Sequence, residues 1–170
     1  EGMEMVGAKA AGDYRVALTY SFPHRFWNVT GSNRTKVEIK GEDSVHLMAT
    51  VWDADSGMVV PNVSVTPTIT RDGETITAKP FWKMMSQNMS VHAGDNVALG
   101  GNGTYDIALE VGAIQARTTG DFAGKFERAE TSFTFEYASG DVEDITFERL
   151  TNEQGDRGAV DPMDMEMVPV

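Results

Sequence analysis

Three histidines and ten methionines are the residues of this chain best suited to chemistry, because cysteine and the local signatures of hydrolytic or phosphate-binding sites are missing. With no cysteine there is no disulfide, zinc ribbon, iron–sulfur ligation or thiol nucleophile, nor a copper site built on a Cys sulfur. Gly100-Gly101-Asn102-Gly103 precedes a strand pattern rather than a helix, so it reads as a turn and not as a phosphate loop. No nucleophile elbow accompanies any serine, and paired carboxylates signify little in so acidic a chain. In His46-Leu47-Met48, alternate residues of a strand share a face, so imidazole and thioether project together while Leu47 points inward. Glu42 and Asp43 lie just upstream, where either could orient the ring. Between Met84 and His92, the run MMSQNMSVH carries three Met and one His in what reads as a polar loop. Met is ordinarily core filler, but Ser, Gln and Asn leave no apolar stripe for these side chains to join. Thioether with imidazole favours copper, Cu(I) above all, and tolerates iron. His24, among Phe22, Arg25, Phe26 and Trp27, suits packing or hydrogen bonding as well as ligation.

The formal net charge of −12, from 26 acids against 14 bases, repels phosphate and anionic lipid and argues against nucleic acid as a partner. It also suits solubility in concentrated salt, as in haloarchaea. No apolar run reaches the roughly 18–20 residues of a membrane helix. Five of the seven Asn (Asn28, Asn33, Asn62, Asn88 and Asn102) open an N-x-Ser/Thr triplet, where about one would arise by chance, and such acceptors mark exported proteins. The expected location is extracytoplasmic.

A chain of 170 residues suits one well-cored domain with a tail. The alternation in Tyr14 to Ser21 and in Ser44 to Trp52 reads as strand, with Val45, Leu47, Ala49 and Val51 on one face. Val37 to Ile39 is a short strand; Val59 to Ile69, with Pro61 and Pro67, suits an edge or broken one. Asp72-Gly73 between two Thr-Ile-Thr runs predicts a hairpin. Tyr105 to Val111, Gln115 to Thr119, Thr131 to Tyr137 and Val142 to Leu150 complete the expected set. The fold class is therefore all-β, a sandwich or barrel of seven to nine antiparallel strands over residues 1–150. Residues 151–170 form an acidic Met-rich tail or linker, ending in alternating Met163, Met165 and Met167.

On these residues the chain resembles the periplasmic iron-transport proteins that accompany Ftr-type iron permeases, in a haloarchaeal lipoprotein version. The family motif places a Met seven residues before a His and then Gly-x-Asn-Val; here Met85 precedes His92 and Gly94-Asp95-Asn96-Val97. Gly101-Asn102-Gly103-Thr104-Tyr105 matches the family's Gly-x-Gly-x-Tyr, and His46-Leu47-Met48 its His-Leu-Glu, with Met48 in place of Glu. Gly2-Met3-Glu4 resembles its N-terminal motif. The resemblance implies a copper-binding, immunoglobulin-like sandwich of these antiparallel strands, with His46, Met85 and His92 as ligands. The family's further His, on a later loop, has no counterpart, since no His follows His92. Met48, Met89 or His24 would complete the shell. It also implies a homodimer, a membrane iron permease as partner and a possible lipid anchor. The expected function is metal-binding assistance to iron uptake with copper, as Cu(I) or Cu(II), and/or iron, without enzymatic chemistry of its own. Binding is expected to weaken below about pH 6, since a ligating imidazole must be neutral. The competing expectation is an adhesion or carbohydrate-binding module using Trp27, Trp52 and Trp82.

Overall fold

Alternating apolar residues need two faces to bury against, and this chain supplies them as two antiparallel sheets. A computed structural model describes residues 2–86 and 89–145. The first sheet contains β1 (Glu4–Ala11), β2 (Tyr14–Ser21), β5 (Val45–Asp53), β9 (Ser90–Val97) and β8 (Trp82–Ser86), in the order β1-β2-β5-β9-β8. The second contains β11 (Ala129–Tyr137), β10 (Gly103–Val111), β6 (Val65–Arg71) and β7 (Glu74–Thr77), in the order β11-β10-β6-β7. A third, two-stranded sheet is the hairpin of β3 (Phe26–Thr30) and β4 (Asn33–Val37).

Every second residue of the paired strands enters the sandwich. Tyr14, Val16 and Leu18 of β2 and Val45, Leu47, Ala49 and Val51 of β5 meet Ile69 of β6, Tyr105, Ile107, Leu109 and Val111 of β10, and Phe133 and Phe135 of β11. The all-β sandwich is as expected, but with eleven strands among the described residues rather than seven to nine. The Asp72-Gly73 hairpin forms, both residues taking positive φ, of 51° and 80°. Val59 makes only an isolated bridge to Trp52 before β6 begins at Val65; Pro61 lies in the break, whereas Pro67 sits within β6 opposite Leu109.

Three expected strands are corrected. The short strand expected over Val37 to Ile39 is instead the end of β4, which stops at Val37, and residues 38–40 are irregular. Residues 115–119 are irregular: Gln115 bonds its N–H to the Asn62 carbonyl, and no ladder continues. Residues 139–145 are helical. Val142 and Ile145 stand three apart, so on a helix both fall on the face that buries against the sandwich core. Residues 146–170, which include the expected Met-rich tail, lie outside the described residues.

The site depends on the other face of the first sheet. On it, His46 and Met48 of β5, His92, Gly94 and Asn96 of β9, and Met84 and Trp82 of β8 point away from the sandwich core, by the register pairs His46–Asn96, Met48–Gly94, Met84–His92 and Trp82–Gly94. Such a face normally meets water. Here Phe26 and Val37 of the β3–β4 hairpin pack with Met84 and Trp82 into a second, smaller core.

Candidate metal centre

Asn96 governs the site. Its amide orientation is fixed by two backbone groups of unambiguous polarity: Oδ1 accepts the His24 N–H at 3.0 Å, and Nδ2 donates to the His24 carbonyl at 2.7 Å. Oδ1 also lies 2.9 Å from Nδ1 of His46. An acceptor there requires the proton of His46 on Nδ1, which leaves Nε2 with a bare lone pair. Nδ1 of His92 lies 3.0 Å from the Ser90 carbonyl, and the same reasoning leaves its Nε2 unprotonated. Both Nε2 atoms are buried and have no hydrogen-bond partner among the described residues. Two imidazoles of one sheet face therefore present nitrogen lone pairs that no described residue satisfies, an arrangement that buried polar atoms ordinarily avoid.

Burial keeps these rings neutral. Desolvation is the largest cause lowering the pKa of His46, to about 3, and the neighbouring His24 adds to it; His92 contributes further charge repulsion. The pKa of His92 is lowered too, by burial first, with the Ser90 carbonyl opposing. Backbone proximity shapes the space beside His46: a Cβ placed on Gly94 would stand 2.8 Å from the Leu47 carbonyl oxygen, 3.1 Å from His46 Nε2 and 3.3 Å from Met48 Cγ. Glycine thus keeps a gap open next to the lone pair, with the Met48 side chain on its border.

The six residues marked by sequence fare differently. His46, His92 and Met48 share the covered sheet face and are buried. His24 joins them, its ring stacked on that of His46 at 4.7 Å between centroids and 20° between planes, with Phe22 edge-on at 4.7 Å. Met85 does not join them. It pairs with Val91 and so lies on the opposite face of β8 from His92, 53% exposed. The thioether that faces the site from β8 is Met84, fully buried and directly opposite His92. Met89 lies at the turn before β9, its N–H donating to Ser86 Oγ at 3.3 Å. Neither Glu42 nor Asp43 is seen orienting His46: Asp43 accepts the Lys40 N–H at 2.7 Å, and Asn96 holds the ring instead.

Sequence reasoning missed Asn96, Gly94 and Met84. The first two were legible as the i+4 and i+2 companions of His92 once that stretch is read as a strand. Met84 was hidden by reading residues 84–92 as a loop, whereas most of them form the two arms of a β-hairpin.

Among the described residues, no group of three or more His, Asp or Glu side chains is arranged to hold an ion alone. The thioethers of Met48 and Met84 lie on the same sheet face as these imidazoles, and imidazole with thioether is a donor chemistry suited to a soft ion. The Fe2+ transport protein family matches residues 7–139. The chain belongs to that family. No curated protein matches the sequence. Among solved structures, FetP of a uropathogenic Escherichia coli strain is 18% identical with a TM-score of 0.63, covering 80% of this chain and 96% of its own. A copper-bound variant of Campylobacter jejuni P19 is 16% identical with a TM-score of 0.63, covering 81% and 98%. Copper-reconstituted P19 is 19% identical with a TM-score of 0.60 over the same shares. At these identities the likeness shows that these proteins share this chain's fold, and no more.

Proposed function

We propose that the protein is an extracytoplasmic metal-binding accessory of iron uptake, holding copper or iron between the first sheet and the β3–β4 hairpin. One observation carries the reading: the buried His46 and His92 each have Nδ1 committed to an oxygen and, among the described residues, Nε2 without a partner. His46 and His92 would supply nitrogen donors, and Met48 and Met84 sulfur, with His24 stacked against the first ring. Bound copper would supply one-electron redox capacity or simple carriage, and the protein's own residues exclude water and fix the donors. Neutral imidazole with thioether selects softer ions over hard ones, so Cu(I) is held more tightly than Cu(II). The copper-bound relatives and the family's link to Fe2+ transport support this reading. The homodimer, the permease partner and a lipid anchor belong to the same proposal.

A carbohydrate module has less support, since Trp82 is packed against Phe26 and Met84, and Lys36 lies 5.7 Å over the Trp27 ring. Calorimetric titration with Cu(II), and with Cu(I) under reductant, tests the site in wild type, His46→Ala and His92→Ala. Each variant should lose at least tenfold in affinity. Affinities equal to wild type in both would remove this site from consideration.

A further inference from the structure

Five of the seven asparagines open N-x-Ser/Thr triplets, against a chance expectation of about one. The two that do not are Asn96, already accounted for as the clasp of His46, and Asn152. The four triplets whose asparagines are described differ sharply in what a glycan could reach. Asn33, in Asn33-Arg34-Thr35, is exposed where β4 leaves the hairpin turn, and Thr35 is exposed with it. Asn102, in Asn102-Gly103-Thr104, is exposed in the turn before β10. Its Oδ1 accepts the Ser139 N–H at 3.0 Å, so this bond occupies the oxygen and not Nδ2, the atom that carries a glycan. Asn62 is exposed but engaged: Nδ2 donates to the Gln115 carbonyl at 2.8 Å, Oδ1 accepts from Lys83 at 2.8 Å, and φ is 57°. Asn28 is half-buried inside β3.

We infer that Asn33 and Asn102 carry N-linked glycans, and that Asn62 and Asn28 stay bare. The donor is an oligosaccharide on a polyprenyl phosphate or diphosphate. Nδ2 attacks the anomeric carbon, the bond from that carbon to the phosphate oxygen breaks, the amide loses one proton, and the lipid phosphate leaves. Asn33 lies on the hairpin whose Phe26 ring stands edge-on to His46, and Asn102 lies between β9 and β10; both asparagines are exposed, whereas the histidines are buried. The inference rests on the extracytoplasmic part of the proposed function, because this transfer takes place on exported chains.

The test is peptide mass spectrometry on the protein isolated from its own cells, with cytoplasmic and envelope fractions kept separate. Peptides spanning residues 26–37 and 100–105 from the envelope fraction should carry hexose-bearing additions. Thr35→Ala and Thr104→Ala, which break each triplet while keeping the asparagine, should each remove one addition. Bare peptides at both positions in envelope-derived protein would overturn the glycans and leave the metal reading intact. Recovery of bare protein from the cytoplasm alone would overturn the glycans and the location together. Copper titration of unglycosylated recombinant protein probes the metal reading independently of either result.

Discussion

The Asn96 amide accepts two N–H groups and donates to one carbonyl, so its removal alters three bonds, one to the His46 ring and two to the His24 backbone. Asn96→Leu keeps the side-chain shape but strands the Nδ1–H of His46 and the N–H of His24 without an acceptor. Each such loss costs about 1–3 kcal/mol, and loosened ligand orientation typically costs 10–100-fold in metal affinity. Urea unfolding should therefore show a loss of roughly 2–6 kcal/mol, and copper titration the matching drop. Unchanged affinity would mean that something other than Asn96 sets the tautomer. The buried rings also make stability depend on pH. Unfolded His titrates near 6.5, whereas folded His46 does so at about 3, so between these values the unfolded chain binds the extra proton. The stabilisation is complete above pH 6.5, falls as pH drops through the window, and stops falling near pH 3. For metal-free protein, His46 alone should remove about 2 kcal/mol between pH 7 and pH 5. His46→Gln should flatten the profile of unfolding free energy by that amount, and a variant with the wild-type slope would show that the ring is not held neutral.

At the scale of elements, the reading of the chain succeeded where one face is plainly apolar. β2 begins and ends as expected at Tyr14 and Ser21, and β5 is displaced by a single residue. It failed where strands carry other residues outward. β1 offers Ala, Gly and Lys rather than an apolar alternation, yet Gly7 is needed there because a Cβ would meet the Phe133 ring at 3.0 Å. β4, Asn-Arg-Thr-Lys-Val, reads as loop until its partner β3 and the covered sheet face are known. The same limit hid β8, and with it the choice between two adjacent methionines. In a strand, a one-residue difference is a difference of face. Met84→Ala should cost about 2–5 kcal/mol, the range for truncating a buried Met, and should weaken copper binding. Met85→Ala, at an exposed position, should fall within about 0.5 kcal/mol of wild type with affinity retained. Thermal unfolding and titration of the pair decide this. The reverse result would show that β8 slips by one residue against β9 when metal binds, as the family spacing from Met85 to His92 suggests.

For the whole molecule, the net charge of −12 sets a term that no single contact contains. Like charges spread over one small domain repel one another and destabilise the compact state. The fold opposes this with particular ion pairs: Lys125 reaches Asp53 at 2.5 Å and Asp55 at 2.9 Å, and Arg128 bridges Glu110 and Glu130 at 2.5 and 2.8 Å. Salt weakens both repulsion and attraction, but not equally. The Asp53 side chain is only 2% exposed and that of Lys125 18%, so their contact is poorly screened. Arg128 and its partners are solvent-facing, and such pairs contribute at most about 1 kcal/mol. Repulsion among the many surface carboxylates acts over longer distances and is the part that a screening length falling from ~10 Å at 0.1 M to ~3 Å at 1 M removes. The melting temperature should accordingly rise by several degrees between 0.1 and 1 M KCl, about 2–4 °C for each kcal/mol gained. Chloride is the salt to use, because sulfate stabilises proteins by exclusion from their surfaces whatever their charge. A flat or falling profile would mean that the ion pairs outweigh the repulsion. Lys125→Met would then separate the terms, since removing the buried pair should leave the salt response of the surface carboxylates unchanged.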